Sequence, residues 1–198
     1  MKIGIFGGTF DPVHYGHLLL AETCREQLEL HEVRFVPAGS PPHKTRNAIT
    51  DGHTRADMLK LAVSGYPEYQ IDRREIRRQG PSFTVDTLTE FRSEHPDDEL
   101  FFLMGADSLV EMPTWRQPER IVELATVVAV NRPGVALPTT AALVQQIGPL
   151  ADRVRVISMP GTDLSASALR QRVRDGRPLR FMTPKAVEAF IRQHDIYL

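Results

Sequence analysis

The chain has 198 residues, 41% hydrophobic and 25% charged, which is apolar enough to bury a core and too balanced for a disordered chain. Its 24 Lys and Arg nearly cancel its 25 Asp and Glu, leaving a net charge of −1. That excludes general electrostatic capture of nucleic acid or of an anionic membrane, so any phosphate chemistry has to be local.

The single cysteine, Cys24, excludes a disulfide framework, reads as a small apolar core residue, and fits a reducing, cytoplasmic setting. The opening MKIGIFGG has too short an apolar stretch for a secretory signal, and no run reaches the roughly 18 apolar residues of a membrane span.

Short runs rich in β-branched and aromatic residues predict strands at 2–7 (KIGIFG), 32–37 (EVRFVP), 68–72 (EYQID), 100–105 (LFFLMG), 126–131 (TVVAVN) and 153–158 (RVRVIS). Helical patterns fall between them, at about 16–28, 53–64, 84–94, 118–124, 139–147 and 165–174. In the first helix Leu18, Ala21, Cys24 or Arg25, and Leu28 recur at a spacing of three to four, which gives an apolar side to lay on a sheet. This alternation predicts a doubly wound, parallel-sheet, Rossmann-like α/β fold. Ligands in such folds bind at the carboxyl ends of the strands near the switch point, so GGTFDPVH after the first strand and GADS after the fourth are expected side by side.

The tail MTPKAVEAFIRQHDIYL predicts a last helix with Thr183 as N-cap, Pro184 at its first position, and Ala186, Val187, Phe190 and Ile191 as its apolar stripe. The whole chain, 1–198, reads as one domain whose part from about 160 onward is a C-terminal helical segment. The stretch PAGSPPHKTRNAIT, 37–50, is long and proline-rich enough to be a functional loop.

Gly7 and Gly8 stand where the first strand ends, and without a Cβ they let a ligand approach the main-chain N–H groups, with the positive end of a helix close by. A Walker loop would need Gly-Lys-Ser/Thr and a dinucleotide fold G-x-G-x-x-G with an acidic residue after strand two; neither occurs. His14 and His17, three apart at a helix start, project from one face. A zinc site would need further ligands, which no HExxH or CxxC supplies. The other reading has their imidazole N–H groups donating to phosphate oxygens as charge develops on a transferring group.

With these residues in hand, GGTFDPVHYGH resembles the signature of the (T/H)xGH nucleotidyltransferase superfamily, and DLSASALRQRV at 163–173 resembles its second motif, S-x-x-x-[IL]-R. Nearly end to end the chain resembles the bacterial nicotinate mononucleotide adenylyltransferases, through PPHK, PSFTVDTL, FFLMGADSLVEMPTWRQPERI and VNRPG.

The resemblance implies a nucleotidyltransferase fold and an enzyme that moves AMP from ATP to nicotinate mononucleotide, releasing pyrophosphate, in the making of NAD. It implies ATP as co-substrate, with Mg2+ bound through the ATP phosphates and no protein metal site. It implies catalytic roles for His14, His17 and Arg170, and ATP contacts from Gly7, Gly8, Thr9, Phe10, His14, His17, Gly105, Asp107, Ser165, Ser167 and Arg170. For the pyridine mononucleotide it implies Lys44, Thr84, Trp115 and Arg132, with the indole on the ring and main-chain N–H groups near Thr84 accepting the carboxylate.

Small molecules are the expected partners, with no nucleic acid and no membrane; the sequence leaves the oligomeric state open, a homo-oligomer included. Two positions depart from the family pattern: Phe83 stands where tyrosine is frequent and Ala166 where serine is common. Competing readings are a phosphopantetheine or nicotinamide mononucleotide adenylyltransferase, and a nucleotide-sensing module without turnover.

Overall fold

The computed structural model describes residues 1–39, 49–131, 145 and 148–198. Lys44, Arg132, most of the 37–50 loop and nearly all of the helix expected at 139–147 lie outside the described residues.

Six parallel strands form one sheet: β1 (Lys2–Gly8), β2 (Glu32–Pro37), β3 (Tyr69–Ile71), β4 (Glu99–Gly105), β5 (Thr126–Asn131) and β6 (Val154–Ser158). Their order is β3-β2-β1-β4-β5-β6, so the winding direction reverses between β1 and β4. The helices are α1 (Tyr15–Leu28), α2 (Gly52–Ala62), α3 (Arg74–Arg77), α4 (Thr84–Glu94), α5 (Ala106–Glu111), α6 (Pro118–Leu124), α7 (Ala166–Arg174) and α8 (Lys185–Gln193).

The strands are apolar on both faces because the sheet is covered on both. Phe6, Val33, Phe35, Phe101, Leu103, Val128 and Val130 point into a core shared with Leu20, Cys24, Met58 and Leu59 of α1 and α2 and Val187 and Ile191 of α8. Their neighbours Ile3, Ile5, Phe102, Met104, Val127 and Ala129 point the other way, against Leu88, Phe91, Leu109, Ile121 and Val122 of α4, α5 and α6. Cys24 is fully buried, and that burial pushes its thiol up to about 12, so it packs and does not react.

The strand runs expected from the sequence match the sheet to within a residue or two. Thr183 is a correction: the cap position of α8 falls on Pro184, and the Thr183 hydroxyl donates 2.7 Å to the carbonyl of Val13, tying the last segment to the loop before α1. Buried as it is, that hydroxyl satisfies a loop carbonyl where a cap would satisfy a helix N–H. Within the expected stripe of α8, Val187 and Ile191 are buried, whereas Ala186 faces outward.

Candidate active site

Register pairs Phe6 with Leu103 across β1 and β4, and two residues further along each strand stand Gly8 and Gly105. The loops that follow both strands therefore open at the same edge of the sheet, at the switch point.

The β1 loop is shaped by aromatic packing. Phe10 takes a left-handed backbone (φ 50°), and its ring is buried edge-on against Phe6 and Phe35, with centroids 5.2 and 5.6 Å away. A Cβ on Gly8 would lie 2.8 Å from that ring. The missing side chain at Gly8 thus makes room for Phe10, a reason the sequence alone did not offer. Any phosphate contact by Phe10 is left to its main chain.

His14 caps α1 in an extended conformation, and its backbone N–H donates 3.3 Å to Nδ1 of His17, the reciprocal arrangement of a capping box with histidine in the usual Glu position. The two imidazoles stack at 3.7 Å with 22° between planes, His14 buried beneath and His17 half-buried against Phe10. Because His17 Nδ1 accepts, the neutral ring carries its proton on Nε2 and offers an N–H donor there. The spacing of three thus brings both histidines together on one face, as the sequence suggested.

The second motif meets the first. Arg170 of α7 donates 2.7 Å to the carbonyl of Asp11 and 3.2 Å to the Ser167 hydroxyl. Ser165 caps α7, accepting from the Ala168 N–H at 3.2 Å, so its hydroxyl serves the helix start. Ser165 and Ser167 are both exposed, at the positive end of a nine-residue helix. Gly105 caps α5 and Asp107, exposed in the first turn, follows it on the β4 side.

Three residues that carry this arrangement were missed by the sequence reading. Arg55 of α2 is buried, donating 2.6 Å to the carbonyl of Thr9, 2.5 Å to Ala38 and 2.8 Å to Thr50. It ties the loop after β1 to both described ends of the loop after β2. Burial lowers its pKa, partly offset by the fields of Asp11 and Asp51. Asp11, also buried, accepts from the Thr50 N–H at 3.1 Å and from the Tyr197 hydroxyl at 2.6 Å. Burial first and Asp11 second raise the Tyr197 pKa well above the ordinary phenol value, so it stays protonated and donating. Asp11 lies inside GGTFDPVH and could have been singled out there; Arg55 and Tyr197 carry no local signal.

Thr84 and Trp115 meet in one cavity of about 500 Å3, lined also by Ser82, Phe83, Arg116 and Ile121. Thr84 opens α4, where main-chain N–H groups are unpaired within the helix. Trp115 follows a single 3-10 turn, Met112–Thr114, half-buried with its indole edge-on to Phe102 at 6.2 Å. Among the described residues no group of three or more His, Cys, Asp or Glu is placed to hold a metal ion, and no helix is long and apolar enough to cross a membrane.

An open parallel sheet with stacked histidines at its switch point and an arginine-bearing helix bonded to the loop before them is the plan of a nucleotidyltransferase. Residues 5–172 match the family described as cytidylyltransferase-like, and the chain belongs to that family. A protein of Thermomicrobium roseum named probable nicotinate-nucleotide adenylyltransferase is 45% identical over 99% of this chain and 91% of its own length. One of the same name from Thermus thermophilus is 43% identical with both chains covered completely. Within the family, these full-length relatives set the chain among the nicotinate-nucleotide adenylyltransferases. The fold is also that of the Plasmodium falciparum nicotinic acid mononucleotide adenylyltransferase complexed with NaAD, at a TM-score of 0.79 and 18% identity over 99% of this chain and 97% of that one.

Proposed function

We propose that the chain transfers AMP from ATP to nicotinate mononucleotide, giving nicotinate adenine dinucleotide and pyrophosphate in the biosynthesis of NAD. The observation that carries this reading is the junction of the two motifs: Arg170 bonded to Asp11 beside the stacked His14 and His17, at the switch point of the sheet. Full-length relatives bearing the name of that activity support it.

In this reading a phosphate oxygen of nicotinate mononucleotide attacks the α-phosphorus of ATP, the bond from that phosphorus to the α,β-bridging oxygen breaks, and pyrophosphate leaves with the electron pair. The protein forms no covalent bond. His17, through Nε2–H, and His14 donate to the phosphate oxygens, where fixed donors gain most as charge develops. Ser165, Ser167, Arg170 and the start of α7 take the departing β- and γ-phosphates. Thr9 and the main chain of Gly7, Gly8 and Phe10 border the phosphates, while Gly105 and Asp107 lie at the adenosine, with Asp107 on a ribose hydroxyl.

Thr84 and Trp115 hold the pyridine ring, with Lys44 and Arg132 as further contacts to the mononucleotide. Magnesium bound with ATP would offset the charge of its phosphates. The cytoplasm is the proposed compartment, with the two small molecules as partners.

Pyrophosphate release measured with ATP and each of nicotinate mononucleotide, nicotinamide mononucleotide and phosphopantetheine tests the reading. The acid mononucleotide should give the highest kcat/KM. Release with phosphopantetheine alone, or ATP binding without release from any acceptor, would refute it.

A further inference from the structure

Acid and amide forms of a pyridine mononucleotide differ by one negative charge, so the charged groups around the Thr84–Trp115 cavity decide how the two compare. Arg116 and Glu111 line the cavity directly. Asp86, in the first turn of α4, reaches Arg116. Glu111, at the end of α5, is exposed.

Arg116 stands on both walls of the problem. Its guanidinium lies 4.9 Å over the Phe83 ring, which together with the Trp115 indole makes the apolar lining. Its Nη1 reaches Asp86 Oδ2 at 3.4 Å through one long contact, with 52% and 38% of the two side chains exposed. A loose, half-exposed pair of this kind is worth little and exchanges readily for a better-placed carboxylate. The phenyl face at Phe83 also matters: it offers the guanidinium a platform without a hydroxyl to bond it, leaving the donors of Arg116 for other acceptors.

The signs decide the effect. Asp86 and Glu111 are two carboxylates, and Arg116 is the one cation among the described residues that line this cavity. Without it the described residues around the cavity would present only negative charge, which disfavours an acid ligand and leaves an amide nearly indifferent.

We propose that Arg116 is a specificity-determining residue that gives this enzyme its preference for the carboxylate form of the pyridine mononucleotide over the carboxamide form. The inference rests on the activity proposed above, and it adds a side-chain cation to the main-chain donors near Thr84.

The test compares kcat/KM for nicotinate and nicotinamide mononucleotides in the wild type, R116Q and E111Q, at low salt and at about 1 M salt, where the Debye length shrinks to roughly 3 Å. R116Q should lower the acid-to-amide ratio about five- to tenfold, mainly through the KM of the acid. E111Q, which removes a carboxylate, should raise the ratio. High salt should reduce the wild-type ratio and move that of R116Q much less. An unchanged ratio in R116Q, or equal loss toward both substrates, would overturn the role of Arg116 while leaving the proposed activity standing. A wild type that releases pyrophosphate with neither substrate would overturn both.

Discussion

His17 is the side chain whose chemistry is most closely specified by its surroundings. The His14 N–H holds its Nδ1 as an acceptor, and stacking on His14 and the edge of Phe10 fix the ring plane. The ring is therefore oriented before substrate arrives, and a hydrogen bond to a developing charge contributes most from a preorganised group. We expect His17→Ala to reduce kcat by about 10²–10³-fold with little change in ATP affinity. Single-turnover rates beside equilibrium ATP binding check this; an unchanged kcat would remove His17 from the chemistry. Its pairing with His14 was legible in the sequence because it lies in a spacing of three at a helix start. Arg55 was not, because its place depends on three carbonyls, those of Thr9, Ala38 and Thr50, that come together only in the folded chain. Phe10 was half legible: its position beside the glycines is in the sequence, but its buried ring is not.

Among the elements, the long ones announced themselves by period and composition, whereas α3, of four residues, and α5, of six, are too short for a period of 3.6 to register. The C-terminal elements have a role that composition does not suggest. After α8 the chain turns, and Tyr197, with a left-handed backbone (φ 76°), bonds the carboxylate of Asp11. Asp11 meanwhile holds Thr50 through its other oxygen and Arg170 through its carbonyl. The penultimate residue thereby steadies the loop between β1 and α1 on which both motifs converge. Tyr197→Phe removes one hydroxyl and keeps the ring. Loss of a donor to a buried carboxylate costs about 1–3 kcal/mol, which urea unfolding would register. If the bond also positions the loop, kcat should fall about three- to tenfold with both KM values nearly unchanged. The stability loss with an unaltered kcat would make Tyr197 a structural strut only.

For the whole molecule, the alternation of strand and helix was legible, while the burial of particular charged groups was not, since it depends on which loops the sheet order brings together. Glu75 of α3 is the clearest case. It lies buried between the β2 side and α4, accepting 2.6 Å from the Thr87 hydroxyl and bonded also to Ser82, whose oxygen accepts from the Gly39 N–H at 3.2 Å. The backbone here is so close that a Cβ on Gly39 would fall 2.0 Å from the Glu75 carbonyl oxygen. Burial raises the Glu75 pKa; Thr87, Arg78 and Ser82 pull it down and Glu90 adds to the rise, and the net shift is upward. A carboxyl raised in the folded state favours folding when protonated, so its contribution is full below the unfolded value of about 4.3 and is lost as pH climbs through the folded pKa. Glutamine keeps an acceptor for Thr87 and does not titrate, and the Ser82 hydroxyl can turn to accept from its amide. Glu75→Gln should therefore melt with the wild type near pH 4 and pull ahead of it as pH rises toward neutrality. Melting curves of both proteins from about pH 4 to 8 decide it. A gap that is constant across that range, or a variant that falls behind the wild type at neutral pH, would mean that the ionised Glu75, with Arg78 beside it, stabilises the cluster on which the start of α4 rests.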